Sequence, residues 1–552
     1  MRASDMGRFL KAAVICSGMM SAAVAFAPVM AQAKAATPAA APEAAKPESA
    51  PALFVPETHG AQGSVTIGGQ RVDYKSVAGT IVVHGHDWDD TAWRAQSDKD
   101  KGDKSEAPAE ASMFYVAYFK NGAPAANRPI TFLYNGGPGS STVWLHMGAF
   151  GPKRVLTAED SHTPAAPYSV VDNAYSLLDA SDLVFIDAPG TGFGRIAGKD
   201  KEKAFYGIDA DAHAFGAFIK SFLTQYGRWN SPKYLFGESY GTPRSAVLVN
   251  DLASEDSVDV NGVILLSQIL DFHLFAGLQQ ANPGSVEGYV VQLPTFAATA
   301  WYHNLIPGGR PAALEPFLAE VEKFATTDYA SALAQGSEID PQAKQAVAEK
   351  LARYTGLPIG YILKANLRVD GPEFSKQLQD SAGLTTGRLD SRFSGPDLDP
   401  LSKDAEYDPQ SAAISSAYVS AFNAYARDTL GWNKDMAFKP ETDVFQYWDW
   451  AHAAPGLPPL KMAGTSVQPD LAAAMKVNPQ LKVLVAGGYY DLATPFYQGW
   501  YEMHHLPIPA RLQDNIEYHY YPSGHMVYAH EESLKKLHDD VAGFIRKNGR
   551  GG

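Results

Sequence analysis

A serine between two closely spaced glycines is the first group in this chain that could act as a nucleophile. The segment Gly237-Glu238-Ser239-Tyr240-Gly241 follows a short apolar run and precedes residues 242–252, which are typical of a helix. In a strand–turn–helix of this kind the turn is sharp and strained, so the serine hydroxyl stands clear of the backbone. The N-terminus of the following helix also favours developing negative charge. The pattern therefore predicts that Ser239 is a catalytic nucleophile.

A serine hydroxyl is a weak nucleophile, so it needs a base, and the base needs a carboxylate that orients it. Asp491 follows a predicted strand at residues 483–488, and His525 follows another at residues 518–521. Groups at the carboxyl ends of parallel strands share one edge of the sheet, so we predict a triad of Ser239, Asp491 and His525. Two alternatives stay open at this point: Asp491 could cap the next helix, and 15 histidines allow a chance match for His525.

A glycine-rich loop earlier in the chain could supply an oxyanion hole. Asn135-Gly136-Gly137-Pro138-Gly139 follows the apolar run at residues 130–133. Its glycines let the backbone approach a substrate, and Pro138 stiffens the turn. A nucleotide phosphate loop is the competing interpretation. The segment lacks the Lys-Ser/Thr ending of a Walker motif and the wider glycine spacing of a dinucleotide site.

Strands and helices alternate along the chain and would have to position these groups. One helix face is indicated by the apolar positions between residues 215 and 223. Buried strands are predicted at residues 130–133, 183–186, 234–236, 263–266, 483–485 and 518–521. This alternation predicts an α/β fold with a mainly parallel central sheet flanked by helices.

The alternation stops over residues 285–439, which contain helix-like pieces punctuated by proline and glycine. We therefore expect an α/β-hydrolase core formed by residues 57–284 and 440–552, interrupted by a mainly helical cap insertion. The order of nucleophile, acid and histidine also agrees with that fold. A polar tract at residues 97–110 lies between strand-like runs and predicts a hairpin loop.

The first residues have the pattern of an export signal. A basic start is followed by an apolar run and by Ala31-Gln32-Ala33, which predicts a signal peptide over residues 1–33. An uncleaved membrane anchor is the alternative. Residues 34–56 are rich in Ala and Pro and predict a flexible linker. Cys16 is the one cysteine and would leave with the signal, so a periplasmic or secreted bacterial enzyme is expected.

Composition excludes several classes of protein. A formal net charge of −14 argues against a general nucleic-acid binder. No apolar run after the signal reaches 18 residues, so no membrane span is expected in the mature chain. A single cysteine forms neither an intramolecular disulfide nor a cysteine-based zinc site. His84-Gly85-His86 has no further ligands nearby in sequence, so no metal site is predicted.

These motifs together resemble the serine carboxypeptidase family. Residues 135–139, followed by Ser140-Ser141, match its Asn-Gly-Gly-Pro-Gly-Cys-Ser segment, and residues 237–241 match its Gly-Glu-Ser-Tyr-Gly core. Residues 187–193 resemble its Asp-x-Pro…Gly-Phe loop, and Gly524-His525-Met526 resembles its Gly-His-Met. The resemblance extends with gaps from about residue 77 to residue 542 and is weakest in the cap.

The resemblance implies the same triad and adds further roles. The backbone N–H groups of Gly137 and Tyr240 would form the oxyanion hole. Asn135, Gly136 and Glu238 would bind the free terminal carboxylate of a peptide. Glu238 would then have to be protonated, which burial favours. The alternative is that Glu238 is a buried residue that only supports the turn.

Several positions depart from the family pattern. Leu133 replaces a tryptophan, Ser140 a half-cystine and Tyr489 the first Asp of a Gly-Asp-x-Asp turn. Ala149 replaces a glutamate, so the usual pair of carboxylic acids is incomplete. We expect this loss to shift the pH optimum upward relative to acid carboxypeptidases.

The leading functional prediction is a serine-type carboxypeptidase that releases C-terminal residues through an acyl-enzyme, with peptides as substrates and no cofactor. An esterase or acyltransferase with the same triad is the second. A secreted binding protein that retains only the fold is the third. The sequence predicts neither the preferred terminal residue nor the oligomeric state.

Overall fold

The computed structural model of the protein describes residues 53–85, 108–274, 283–432, 435–456 and 466–549. The predicted signal peptide with Cys16, most of the predicted linker and nearly all of the polar tract at 97–110 lie outside the described residues.

Fourteen strands occur within the described ranges. They are β1 (Thr58–Ile67), β2 (Gln70–His84), β3 (Glu110–Lys120), β4 (Ile130–Tyr134), β5 (Lys153–Val155), β6 (Val170–Asp172), β7 (Asp182–Ile186), β8 (Arg195–Ala197), β9 (Lys233–Glu238), β10 (Gly262–Leu266), β11 (Leu384–Thr386), β12 (Ser394–Pro396), β13 (Lys482–Gly488) and β14 (Ile516–Tyr521).

The same part of the chain contains fourteen α-helices. They are α1 (Lys201–Phe205), α2 (Ile208–Gln225), α3 (Gly241–Ser254), α4 (Glu287–Tyr302), α5 (Leu314–Phe324), α6 (Ala330–Ala334), α7 (Pro341–Thr355), α8 (Ile359–Lys364), α9 (Gly371–Gln377), α10 (Pro409–Asp428), α11 (Gln468–Val477), α12 (Phe496–His504), α13 (Ala510–Gln513) and α14 (Glu531–Asn548).

One large sheet organises the molecule. Its strand order is β1-β2-β3-β7-β4-β9-β10-β13-β14, with β8 paired to β3. The first three strands and β7 pair in antiparallel fashion, whereas all pairs from β7 through β14 are parallel. The six strands predicted from apolar runs are all present. Together with the helices on both faces, this sheet is the predicted α/β-hydrolase fold.

The parallel strands β7, β4, β9, β10 and β13 are mostly apolar because both faces of the sheet are covered there, whereas the edge strand β14 contains Glu517 and His519 and is half-buried along most of its length. Alternate side chains enter two separate hydrophobic clusters. Leu235 and Val485 pack in the cluster that contains helices α2, α3 and α11, and Phe236 and Leu484 pack in the cluster that contains α14. The sheet is therefore the middle layer of three.

The described residues between β10 and β13 are mainly helical, with one hairpin of β11 and β12. Helices α4 to α9 form a third hydrophobic cluster around Phe296, Val321 and Phe374. Helix α10 falls within the predicted insertion but packs through Ile414 and Phe422 in the cluster on the sheet. The third cluster also includes Tyr490 and Leu492 from the loop after β13 and Phe496 from α12, so the insertion packs on that side of the sheet as well as through α10.

None of the helices in the described ranges combines the length and the apolar character that crossing a membrane requires.

Candidate active site

The serine turn connects β9 to α3 and is packed as its sequence predicts. Ser239 has a left-handed backbone with φ of 59° and is half-buried, whereas its neighbours in the turn are buried. A Cβ on Gly237 would lie 2.1 Å from the carbonyl oxygen of Gly241, and a Cβ on Gly241 would lie 2.8 Å from that of Tyr134. Both glycines are therefore required by close backbone approach, and the strained serine is the exposed point of the turn.

Asp491 and His525 come together from the loops after β13 and β14. His525 Nδ1 lies 2.7 Å from Asp491 Oδ2, and both residues are buried, with 5% and 0% of their surface exposed. A carboxylate only accepts hydrogen bonds, so Nδ1 carries the proton and Nε2 is the basic nitrogen. Asp491 is itself held by the backbone N–H of Ala493 and by the N–H and hydroxyl of Thr494, at 2.7–2.9 Å. The pair is thereby fixed in the orientation a general base requires.

The charge of Asp491 sets the electrostatics of the histidine. Burial alone would lower the pKa of His525, but the negative charge and hydrogen bond of Asp491, with a contribution from Glu238, raise the pKa above its usual value. A raised pKa strengthens the imidazole as a proton acceptor.

One backbone hydrogen bond and one side-chain hydrogen bond connect the serine turn to the histidine loop through the end of β10. The N–H of Ser239 donates to the carbonyl of Leu266 at the end of β10. The hydroxyl of the next residue, Ser267, donates to the carbonyl of His525 at 2.7 Å. Ser239, Asp491 and His525 therefore follow β9, β13 and β14, whose parallel directions place all three at one edge of the sheet.

The glycine-rich loop after β4 lies against the serine turn. A Cβ on Gly136 would be 2.3 Å from the backbone nitrogen of Tyr240. Gly137 has a φ of 104°, which L-residues rarely adopt. Within the described part of the chain, no hydrogen bond uses the N–H of Gly137 or of Tyr240 as its donor. Two unused backbone donors therefore belong to segments in direct contact beside Ser239.

Arg244 and Asp187 form hydrogen bonds at the start of the glycine-rich loop and just after its end. Arg244 of α3 donates to the carbonyl of Asn135 at 2.8 Å and forms a buried ion pair with Asp211 at 2.6 Å. Asp187, from the loop after β7, accepts the N–H of Thr142 at 2.7 Å. Burial raises the pKa of Asp187 to about 7. These contacts give the segment at residues 187–193 a structural role beside the site.

Glu238 lies in a buried cluster with Asn135 and Tyr528. The hydroxyl of Tyr528 lies 2.8 and 3.1 Å from the two carboxyl oxygens of Glu238, and 2% of the Glu238 surface is exposed. Burial raises the pKa of Glu238 to about 7, against smaller lowering effects from His525, Tyr528 and Asn135. Glu238 is therefore protonated below about pH 7 and ionised above it.

Tyr528 is a residue that the sequence did not single out. Gly148 makes room for it, because a Cβ on Gly148 would lie 2.7 Å from the rings of both Tyr528 and Tyr418. Gly148 directly precedes Ala149, where the resemblance to the carboxypeptidases is broken. No local sequence pattern marks Tyr528 as a partner of Glu238, which lies 290 positions away in the chain.

One group of carboxylates could in principle hold a cation among the described residues: Asp370, Glu373 and Asp404 in the insertion. Asp370 and Glu373 already bond to each other's backbone as the capping box of α9. Lys403 also pairs with Glu373 at 2.8 Å. These bonds account for the cluster as a helix cap with its counter-ion, so it supports no metal assignment.

Two comparisons with known proteins cover part of the chain. The serine carboxypeptidase family model matches residues 104–271. This region contains the glycine-rich loop and the serine turn. A carboxypeptidase Y homolog of Arthroderma benhamiae is 30% identical over 209 residues, which is 37% of this chain and 37% of that relative. Residues 104–271 are thus similar to the serine carboxypeptidase family, and the chain spans little more than a third of the length of the relative that it matches.

The solved structures that resemble the protein have low sequence identity to it. The proline iminopeptidase of Mycobacterium smegmatis is 14% identical, with 89% of this chain and 99% of that chain covered and a TM-score of 0.31. An epoxide hydrolase variant from Aspergillus niger is also 14% identical, with 83% and 85% covered and a TM-score of 0.31. Neither likeness bears on the activity of this protein.

Proposed function

We propose that the protein is a serine-type carboxypeptidase that releases C-terminal residues from peptides. The observation that carries the proposal is the buried 2.7 Å hydrogen bond between Asp491 and His525, at the sheet edge where the strained turn exposes Ser239. Three groups in these roles are what acyl transfer through a serine requires. The match of residues 104–271 to the serine carboxypeptidase family supports the same conclusion.

The reaction follows from the roles of these groups. Ser239 Oγ attacks the carbonyl carbon of the last peptide bond while His525 Nε2 accepts its proton. His525 then gives that proton to the departing amine, which leaves Ser239 acylated. Water, deprotonated by His525, cleaves the ester and restores the serine. Asp491 keeps its carboxylate opposite Nδ1 and stabilises the imidazolium in both steps.

The N–H groups of Gly137 and Tyr240 are proposed to bind the oxyanion. Both are free of other hydrogen bonds within the described residues, and Gly136 is in backbone contact with Tyr240. Removing a donor of this kind typically lowers kcat by about 10²–10³-fold. The positive end of α3, which begins at Gly241, adds to the same stabilisation.

Glu238, Asn135 and Gly136 are proposed to recognise the free carboxylate of the substrate. A neutral Glu238 can donate a hydrogen bond to a carboxylate, whereas an ionised one repels it. The raised pKa of about 7 makes Glu238 neutral in mildly acidic solution. Recognition of a terminal carboxylate should therefore weaken as the pH rises through 7.

An esterase or acyltransferase is the second candidate, because the carboxylate site contains one acid where the resemblance implies two. Ala149 leaves Glu238 paired with the hydroxyl of Tyr528 rather than with another carboxyl group. A phenol hydroxyl can also form a hydrogen bond with a substrate that has no charged carboxylate. Comparing kcat/KM for a blocked dipeptide, its amide and its ester separates the two, since a carboxypeptidase prefers the free acid.

Replacing Ser239 with Ala tests the proposed chemistry directly. We expect Ser239→Ala to lower kcat on blocked dipeptides by about 10⁶-fold, because no other group can form the acyl-enzyme. Reaction with a fluorophosphonate probe should disappear in parallel while the melting temperature is retained. Turnover unchanged by the substitution would exclude Ser239 as the nucleophile.

We further propose export to the periplasm or the medium of a bacterium. The basic start and apolar run within residues 1–33 support it. N-terminal sequencing of the exported protein should then begin at Lys34, and a chain that keeps Met1 would contradict cleavage.

A further inference from the structure

A short segment of the insertion, residues 388–392, bonds to both loops that carry the proposed acid and base. We call this segment the strap. The N–H of Leu492, next to Asp491, donates to the carbonyl of Arg388 at 3.0 Å. The N–H of His525 donates to the carbonyl of Leu389 at 2.6 Å. Two successive carbonyls of the strap therefore hold the acid loop and the base loop.

The side chain of Asp390 adds a second bond to the base loop. Its carboxylate accepts the N–H of Gly524 at 3.2 Å and pairs with Arg392 at 2.6 Å. The same Arg392 nitrogen lies 3.3 Å from the hydroxyl of Ser523. Asp390 is fully buried, and a Cβ on Gly524 would lie 2.4 Å from the Cβ of Asp390. The glycine before His525 is therefore explained by contact with the strap.

The opposite side of the strap is held by helix α4 of the insertion. The hydroxyl of Ser391 lies 2.6 Å from that of Thr299, and its carbonyl lies 2.6 Å from His303 Nε2. The N–H of Ser391 donates to the carbonyl of Tyr490 at 2.9 Å. The strap is thus fixed between the core of the insertion and the loops at the sheet edge.

We propose that the strap is a positioning element for the triad and that Asp390 is its positioning residue. It holds the loop of His525 at the right distance from the loop of Asp491. The inference rests on the proposed function, since it assigns the strap a part in that reaction. Asp390 bonds to the backbone before His525 rather than to reacting atoms, so it acts through the histidine. A displacement of about 1 Å in such a constellation costs about 10²-fold in rate.

The test compares Asp390→Ala with Asp390→Asn on a blocked dipeptide. Alanine removes the acceptor for the Gly524 N–H, so we expect kcat to fall by about 10–10²-fold with KM unchanged. Asparagine keeps an oxygen in nearly the same place, so kcat should return to within about fivefold of wild type. A folded Asp390→Ala enzyme with wild-type kcat overturns the proposal. An asparagine variant as impaired as the alanine variant overturns it as well.

A matched control separates positioning from general loosening of the insertion. Asp397 is a second buried carboxylate there, 3.1 Å from Lys376 Nζ, and neither residue bonds to the two loops. Asp397→Ala should lower the melting temperature and leave kcat at the wild-type value. If Asp397→Ala lowers kcat as much as Asp390→Ala does, the proposal fails.

A milder variant covers the case in which Asp390→Ala does not fold. Ser391→Ala removes the hydroxyl contact with Thr299 and leaves no buried charge unpaired. We expect it to lower kcat by about fivefold with KM unchanged, since the strap loses one of its anchors on α4. Wild-type kcat in this variant would overturn the proposal.

The experiments distinguish failure of the proposal about the strap from failure of the proposed function. Wild-type protein that neither cleaves blocked dipeptides nor reacts with a fluorophosphonate contradicts the proposed function itself. Wild-type protein that does both, beside an equally active Asp390→Ala variant, contradicts only the role of the strap.

Discussion

Two buried carboxyl groups lie at the same edge of the sheet, and their surroundings differ. Asp491 accepts four hydrogen bonds, from two backbone N–H groups, the Thr494 hydroxyl and His525. Glu238 bonds to the hydroxyl of Tyr528 and to the side chain of Asn135, and burial raises its pKa to about 7. Similar burial thus yields one carboxylate that polarises an imidazole and one acid that can hold its proton.

Depth of burial therefore does not distinguish the two groups, whereas their hydrogen-bond partners do. A carboxylate surrounded by N–H donors and an imidazole is stabilised as an anion. A carboxyl group with few donors avoids the cost of a buried charge by staying neutral. The first role affects kcat, and the second should affect the KM of substrates with a free carboxylate.

Of the two carboxyl groups, Asp491 is expected to give the larger effect when it is changed, and its substitution tests the group proposed to orient His525. Asp491→Asn keeps the shape of the side chain but favours the imidazole tautomer of His525 that carries its proton on Nε2. In that tautomer Nε2 cannot accept the serine proton. We expect kcat to fall by about 10⁴-fold with little change in KM. Steady-state kinetics on a blocked dipeptide at neutral pH provide the measurement.

Asp540 supplies a matched control for that substitution. Asp540 Oδ2 lies 3.2 Å from Nδ1 of His519, so this is a second Asp–His pair, about one-third exposed and outside the proposed site. Asp540→Asn should leave kcat unchanged. If Asp491→Asn were no more damaging than Asp540→Asn, Asp491 would not be the orienting acid.

The parts of the site that the sequence predicts are those carried by local patterns. The turn around Ser239 has its own glycine spacing, and Asp491 and His525 each follow a short run rich in apolar or aromatic residues. The parallel strands form as predicted, so the fold is confirmed. The pattern of buried strands thereby locates these loops without any knowledge of long-range contacts.

The contacts that the sequence does not predict join residues far apart in the chain. Tyr528 reaches Glu238 across 290 positions, and Asp390 reaches Gly524 across 134. A tyrosine on a short turn and an aspartate in a proline- and glycine-rich insertion have no distinguishing local pattern. Their roles depend on how α10 and the strap pack against the sheet, which periodicity does not encode.

A tenfold effect is expected at Glu238, the neutral member of the comparison. Because an acid with a pKa of about 7 is protonated below that pH and ionised above it, the competent form falls to about one-tenth at pH 8. The KM of a free-acid dipeptide should therefore rise about tenfold between pH 6 and pH 8. Glu238→Gln is neutral throughout, so its KM should stay constant across the same range.

Glu502 offers a control, because it is a glutamate outside the proposed site whose pKa is raised as that of Glu238 is. It is fully buried, burial raises its pKa to about 7, and it accepts hydrogen bonds from Gln498, from Gln268 and from the backbone N–H groups of Leu270 and Asp271. Glu502→Gln should change the melting temperature and preserve the wild-type pH dependence of KM. A Glu238→Gln enzyme whose KM still rises tenfold would assign the titration to another group.

The smallest effect is expected for Tyr528, because its substitution changes the pKa of Glu238 and leaves both carboxyl groups in place. The Tyr528 hydroxyl lowers the pKa of Glu238 slightly, so Tyr528→Phe should raise it. Glu238 then stays protonated to higher pH, and the KM of a free-acid dipeptide at pH 8 should fall by about two- to threefold relative to wild type. The lost hydrogen bond should also cost about 1 kcal/mol in the free energy of unfolding. If the KM of Tyr528→Phe instead rises at both pH 6 and pH 8, the Tyr528 hydroxyl binds the substrate carboxylate itself. If the KM of the wild-type enzyme does not depend on pH, Glu238 takes no part in recognition.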